Sequence, residues 1–282
     1  MYSLTVKNHK GSVLQLTGNA DYSIYKIDGL NPPPATINNS VNTTTDGSKI
    51  NSVRLENRNI VIYIKPERNI EQNRIKLYKY FPSKQTVTLY FKNGSRDVYI
   101  SGVVETLELN HFENPQIAQV SIICPDPYFK DTKELSVELG DISPVFEFPF
   151  SIPEEGVEFS TYIANNRKNI INTSDVETGL IIKLFATGEV INPVIYDITS
   201  KKQMRLNITM KASDTIIINT NVDNKSVTLI RDGVTTNALG YMRPDSKWFT
   251  LSAGDNIFTY ECESGGSNLF ITFTASVLYS GV

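Results

Sequence analysis

Val87-Thr88-Leu89-Tyr90-Phe91-Lys92-Asn93-Gly94-Ser95-Arg96-Asp97-Val98-Tyr99-Ile100 decides the fold class. Val87, Leu89 and Phe91 fall on one side of an extended chain, and Val98 and Ile100 resume the alternation after an Asn-Gly pair that suits the positive φ angles of a type I′ turn. The stretch reads as a β-hairpin. On its N-terminal side, Ile60-Val61-Ile62-Tyr63-Ile64 is a continuous β-branched run ended by Pro66, which predicts a strand covered on both faces. Val120-Ser121-Ile122-Ile123-Cys124 predicts another strand. One segment departs from period 2. Asn69-Ile70-Glu71-Gln72 has the form of an N-cap with a capping-box residue at N3, Ile70, Leu77, Tyr78 and Phe81 recur at helical spacing, and Pro82 ends the run. The expectation is one amphipathic helix packed on the sheet, with Arg74 either extended to solvent or paired with a carboxylate at the helix edge.

Between about residues 130 and 158 the character changes. Pro144, Pro149 and Pro153 are spaced among Phe146, Phe148 and Phe150, and Glu154-Glu155-Gly156 follows. Proline has no N–H for a central ladder, so this is an edge strand or extended connector. The domain organisation expected is therefore 1–130, a connector over 131–157, and 158–282. In the last segment short strands return: Leu180 to Phe185, Val194 to Ile198, Met204 to Ile208, Thr215 to Asn219, Val227 to Ile230, Ile257 to Cys262 and Leu269 to Ala275. Asp232-Gly233 and Gly265-Gly266 mark hairpin turns. Many short strands without intervening helices imply a β-sandwich, so the fold class is all-β with one helix in the N-terminal domain.

The 282 residues carry 27 Lys+Arg against 30 Asp+Glu, a net charge of -3 that gives no footprint for nucleic-acid or membrane-surface binding. The N-terminus has neither a secretory nor a transit pattern, and no apolar run reaches the length of a membrane span. Cys124 and Cys262 read as buried free thiols rather than a disulfide framework. His9, a surface turn residue, and His111 stand in no triad context, and no metal-ligand spacing or phosphate-binding glycine loop occurs. No metal or cofactor is expected. Two carboxylates alone can hydrolyse a glycoside, but Glu105, Glu108, Asp126, Glu154, Glu155, Glu261 and Glu263 are better explained as solvated strand or turn residues. A different possibility is carbohydrate binding, with Tyr241, Trp248 and Asn256 as glycan contacts and Glu261 close by in sequence. Against it, Trp248, the one tryptophan, alternates with Phe249 and Leu251 like a core anchor.

Several segments, in order along nearly the whole chain, resemble the distal tail proteins of long-tailed phages that infect Gram-positive bacteria. They are Asp28-Gly29-Leu30 with Pro32-Pro33-Pro34-Ala35; Arg58-Asn59-Ile60; Arg74 with Leu77-Tyr78 and Tyr80-Phe81-Pro82; Gly102-Val103-Val104-Glu105; Phe112-Glu113-Asn114-Pro115-Gln116; and, most specifically, Cys124-Pro125-Asp126-Pro127-Tyr128-Phe129. In the second half Glu177-Thr178-Gly179, Gly188 to Pro193, Trp248-Phe249-Thr250-Leu251 with Gly254 and Asn256, and the closing Tyr279-Ser280-Gly281-Val282 are similar. Asn172-Thr173-Ser174-Asp175 departs where the family often has Gly before the Asp.

The resemblance implies a non-enzymatic virion protein: a ring of six copies, formed by the N-terminal domain, between the tail tube and the tail tip or baseplate. The second domain would be a galectin-like β-sandwich serving as a docking platform or adding weak host-surface binding. Implied partners are further copies of the chain, the tail tube protein, a tail-tip or tail-associated hub protein and a receptor-binding protein. The genome would only pass through the ring, and no membrane is involved. The protein would be made in the host cytoplasm and end in the virion tail. From position alone, the ring interface is expected on the helix and the neighbouring strand, at Arg58, Ile60, Ile62, Arg74, Tyr78 and Phe81.

Overall fold

A computed structural model describes residues 2–41, 46–139, 142–144, 160–162 and 167–282. The chain forms two compact units, Met1–Thr132 together with Leu278–Val282, and Lys133–Val277. Its last five residues thus belong to the first unit, not to the second domain where the sequence reading placed them. Most of the Pro/Phe-rich connector, including Phe146, Phe148, Phe150, Pro149 and Pro153, lies outside the described residues.

The first unit is built from β1 (Ser3–Asn8), β2 (Val13–Gln15), β3 (Tyr22–Asp28), β4 (Ala35–Val41), β5 (Ser48–Leu55), β6 (Arg58–Pro66), α1 (Ile70–Tyr80), β7 (Thr86–Lys92), β8 (Asp97–Leu109), β9 (Ala118–Cys124) and the start of β10 (Phe129–Leu139). Antiparallel pairing runs β2-β1-β7-β8-β9-β6-β3. The 13-residue β8 serves both halves: its first part pairs with β7 and its last part with β9, and the register shifts between Val104 and Thr106. An extra residue in one strand bends it, so β8 turns the sheet over on itself. Val6, Leu89 and Val98 from one half share a core with Ile60, Ile62 and Val120 from the other.

Three local expectations are corrected here. In the run Ile60–Ile64 of β6 only Ile60, Ile62 and Ile64 are fully buried; Val61 and Tyr63 are half-covered, so the strand has one buried face rather than two. The β7–β8 loop spans Asn93 to Arg96, and neither Asn93 nor Gly94 has positive φ. Instead Asn93 Oδ1 accepts from the N–H groups of Ser95 and Arg96 at 3.1 and 2.8 Å, an Asx turn in place of type I′. At α1, Asn69 precedes the helix in the left-handed region (φ 44, ψ 50) and its side chain caps nothing. Asn73 ties the helix start down instead, donating from Nδ2 to Arg68 O at 2.6 Å. The helix buries Leu77 and Asn73, while Ile70, Ile75 and Tyr78 stay exposed, so it presents apolar side chains outward.

The second unit contains the rest of β10, then β11 (Ile142–Pro144), β12 (Ser160–Tyr162), β13 (Arg167–Asn172), β14 (Ile181–Ala186), β15 (Val190–Ile191), β16 (Val194–Asp197), β17 (Lys202–Arg205), β18 (Thr209–Met210), β19 (Thr215–Asn219), β20 (Ser226–Arg231), β21 (Val234–Asn237), β22 (Gly254–Glu261) and most of β23 (Leu269–Tyr279). One sheet has the order β23-β14-β19-β20-β21, the other β13-β22-β16-β17. Alternation along each strand sends one row inward: Ile182, Leu184, Ile216, Ile218, Ile271 and Phe273 meet Ile170, Ile195, Met204, Phe258 and Tyr260. Phe258 bridges the layers, 4.8 Å from Phe273 and 5.6 Å from Phe249 between ring centroids. This is a β-sandwich. Asp232 and Gly233 (φ 51 and 76) make the two-residue turn between β20 and β21. Gly265-Gly266 is not a hairpin, because β22 and β23 belong to different sheets. A Cβ on Gly265 would lie 2.0 Å from Glu189 O, so this position requires glycine for backbone approach.

Candidate assembly surface

Arg58 opens β6 and is 2% exposed. Among the described residues its guanidinium makes no carboxylate pair; it donates to four backbone carbonyls: Nε to Pro127 O (2.7 Å), Nη1 to Gly29 O (2.5 Å) and Asn31 O (2.7 Å), and Nη2 to Ser280 O (2.6 Å). Its face stacks on Phe129, 4.6 Å from the ring centroid. Burial lowers its pKa, but guanidinium stays charged at any pH at which proteins fold. Gly29 (φ 89) permits this convergence, since a Cβ there would sit 2.2 Å from Asn59 O. Arg96 reinforces the arrangement: it donates to Gly281 O and lies 4.2 Å from the centroid of Tyr279. Val282 N donates to Leu30 O at 3.1 Å. Four of the motifs that carry the sequence resemblance, around Gly29, Arg58, Pro127 and Ser280, thus meet at one buried cation, which gives them a structural task.

That placement corrects the expected ring interface. Arg58, Ile60, Ile62 and Phe81 are buried inside the first unit, so none presents its side chain to a neighbour. Tyr78 is exposed on α1. Arg74 takes neither of the two expected courses, because its Nη1 lies 2.9 Å from His111 Nδ1. For that contact Nδ1 must accept, which puts the neutral imidazole proton on Nε2. Gln116 Nε2 donates to His111 O (2.8 Å), and Asn110 Nδ2 to Glu113 Oε1 (2.7 Å), so the loop is organised from within. Its tip is Phe112, 100% exposed.

A second surface went unread in the sequence. Among the described residues β4 and β5 pair only with each other. Their register sets Ile37 opposite Val53, Asn38 opposite Ser52, and then Asn39 opposite Ile50, leaving Asn51 without an opposite residue. This bulge matters because residues 50 and 53, three apart, would otherwise point to opposite faces. With it, Ile37, Val41, Ile50 and Val53 share one side of the ribbon, 55, 74, 60 and 58% exposed. Thr36, Asn38, Ser40 and Ser52 occupy the other side, where Asn38 Nδ2 donates to Ser52 Oγ (3.1 Å) and Ser40 Oγ to Asn51 Oδ1 (3.4 Å). A lone two-stranded ribbon is marginal in water and an uncovered apolar face makes it more so, so this shape calls for a covering surface.

Residues 173–276 match the family model described as siphovirus-type tail component, C-terminal domain. The matched stretch lies within the second unit. Solved structures similar to the whole chain include SPP1 Dit, titled "a Paradigm of Hub Adsorption Apparatus in Gram-positive Infecting Phages", with a TM-score of 0.68 at 12% identity over 98% of this chain and 99% of that one. Two structures of the phage P2 baseplate in its activated conformation also match, each at 12% identity. The calcium form has a TM-score of 0.52 and covers 100% of both chains; the strontium form has 0.54 and covers 98% of both. At such identity these likenesses concern the fold. No curated protein matches the chain.

Within the second unit the three expected glycan contacts do not form a site. Asn256 is buried and holds its own loop together, donating from Nδ2 to Ser252 O (2.8 Å) and Gly254 O (2.9 Å) and accepting from Ser252 N (3.0 Å). Trp248 packs half-buried against the core, with Lys225 Nζ 5.8 Å from its ring centroid. Tyr241 is exposed in a 3-10 turn, Leu239–Tyr241. Among the described residues no group of three or more His, Cys, Asp or Glu is placed to hold a metal, and no helix is long and apolar enough to cross a membrane.

Proposed function

We propose that this chain is a structural hub component of a siphovirus-type tail, assembling with copies of itself into a ring, six in number, at the distal end of the tail tube. The exposed apolar face of the β4–β5 ribbon carries the reading. A ring interface is heterologous, so each copy must offer two different surfaces. The ribbon supplies one. The other is the apolar cleft of about 520 Å³ in the first unit, lined by Leu4, Leu16, Ile24, Ile27, Leu30 and Phe91. Ile37, Val41, Ile50 and Val53 of one copy cover that cleft on the next. Phe112 and Tyr78 offer further apolar contact for the tube protein or a tail-tip hub protein. The tail-component domain is the platform on which adsorption parts dock. The role is mechanical and needs no turnover, and the genome passes through the ring without sequence recognition.

Electron microscopy of the purified chain, alone and mixed with its tail tube protein, tests the proposal. Rings with a central channel are expected. Single particles in both preparations would overturn it.

A further inference from the structure

The β20–β21 hairpin leaves one sheet edge of the second unit open. β21 is the last strand of its sheet and pairs with β20 alone among the described residues. Its register sets Arg231 opposite Val234, Ile230 opposite Thr235, Leu229 opposite Thr236 and Thr228 opposite Asn237. A two-residue loop closes on a hydrogen-bonded pair, so Arg231 with Val234 and Leu229 with Thr236 exchange bonds, and Ala238 N, donating to Val227 O at 2.8 Å, carries the alternation one step on. Thr235 and Asn237 therefore turn their N–H and C=O groups away from β20, where no strand meets them among the described residues.

Other edges are covered or blunted. The chain returns along the outer side of β17, where Arg243 N donates to Arg205 O (3.0 Å), Lys247 N to Gln203 O (2.9 Å) and Arg205 N to Ser246 Oγ (3.0 Å). β3 is interrupted by a bulge between Ile24 and Lys26, and β13 opens with Arg167-Lys168. Bulges and charges of this kind keep edges from pairing. β21 has neither: it reads Val234-Thr235-Thr236-Asn237, exposed throughout, uncharged, and β-branched up to Asn237.

Such an edge fits its own copy. Two β21 strands related by a two-fold axis at Thr236 run antiparallel, with Thr235 of each opposite Asn237 of the other. These are the residues whose backbone groups point outward, so each pair exchanges both of its hydrogen bonds. At the axis Thr236 faces Thr236, a favourable strand pair, whereas a charged residue there would oppose its own charge. A foreign strand requires no neutral edge, since its charges can be opposite in sign. The same axis brings Val234, 61% exposed, toward the turn that follows β21 in the second copy, where Leu239 is 44% exposed.

We infer that β21 is a site of self-association, at which two copies of the chain join their sheets edge to edge across a two-fold axis. So short a strand pair buries far less than the roughly 800 Å² a side of a stable interface, so the contact is weak, with a dissociation constant on the order of 100 µM. It is isologous, unlike the heterologous contact of a ring, and does not depend on it.

Pairing is read by sedimentation equilibrium in a full-length variant whose ribbon is charged, Ile37→Asp with Val53→Asp, so that ring contacts do not contribute. This variant is expected to be a monomer at low micromolar concentration and to pair as concentration nears about 1 mM, well above the expected dissociation constant. Adding Thr236→Lys or Thr236→Glu should weaken pairing about fivefold, the scale of like charges directly opposite on paired strands, and an equimolar mixture of the two should restore it. Only a residue that faces itself gives that rescue. In the parent chain, hydrogen exchange at the Thr235 and Asn237 amides should slow as concentration rises, while the Val234 and Thr236 amides, already bonded to β20, stay as they are. This second readout holds whether or not the ribbon closes a ring. Absence of pairing at about 1 mM would overturn the inference. So would Thr235 and Asn237 amides whose exchange ignores concentration, pairing that ignores both substitutions, or a mixture that fails to recover it.

Discussion

Arg58 Nη2 donates to the carbonyl oxygen of Ser280 across 2.6 Å, joining residues 222 apart in sequence. The first unit is completed by the end of the chain: β6 begins with a buried guanidinium whose acceptors come from the β3–β4 loop, the β9–β10 loop and the last five residues.

Arg58→Ala leaves four carbonyls facing a void, and is expected to cost about 3 kcal/mol or more, as when a buried charged network is broken. Arg58→Lys does not restore it, because an ammonium cannot direct donors to acceptors on opposite sides of a planar fork. Urea unfolding of both variants checks this. A lysine variant within about 0.5 kcal/mol of the parent, the scale of a neutral surface change, would refute it.

Two glycines with similar φ separate strain from close approach. Gly11 (φ 81) faces open space, whereas a Cβ at Gly29 (φ 89) would meet Asn59 O at 2.2 Å. Gly11→Ala should cost about 1 kcal/mol for the left-handed backbone alone. Gly29→Ala adds a backbone collision and should cost about 3 kcal/mol or more, read from the same unfolding curves.

In the second unit Arg231 Nη2 sits 2.5 Å from Asp214 Oδ2. That hydrogen bond, aided by the Lys211 N–H and opposed by burial, holds the Asp214 carboxyl below its ordinary value. A carboxylate with a lower pKa folded than unfolded contributes stability that is complete above its unfolded value, about 4, and is lost as pH falls through the folded one. Asp214→Asn should therefore lower stability at pH 7 by about 1–2 kcal/mol. It should also flatten the loss that the parent shows below about pH 4, measured by denaturant titration across pH.

Cys124 is fully buried and its thiol is pushed up to about 12; burial takes the half-buried Cys262 to about 11. At pH 8 roughly one thiolate in a thousand forms at the latter, so neither should react with a disulfide reagent within minutes in the folded protein. Both should react on addition of denaturant. Rapid native labelling at Cys262 would contradict this.

Strand identity was legible in the sequence wherever one face is buried: Val87, Leu89 and Phe91 are inward as the alternation requires. Local signals failed where a side chain competed with the backbone. Asn93 Oδ1 takes the turn N–H groups that a type I′ geometry would leave to the ladder, and Asn73 rather than Asn69 anchors the helix start. The motif residues were legible as a resemblance but not as a cluster, since only tertiary structure brings Gly29, Arg58, Pro127 and Ser280 together. Arg58 and Ile62 looked like interface residues because strand position says nothing about which face is inward. The ribbon escaped notice for a subtler reason: without the bulge at Asn51, Ile50 and Val53 alternate out of phase, and the apolar face cannot be seen.

The most direct measurement is the mass of the purified chain by light scattering, beside an Ile37→Asp, Val53→Asp variant. Both positions are exposed, so the variant should unfold at the parent's temperature. The account predicts a closed oligomer of the parent, six chains in mass, and a monomeric variant. A variant that assembles as the parent does would contradict the ribbon's role.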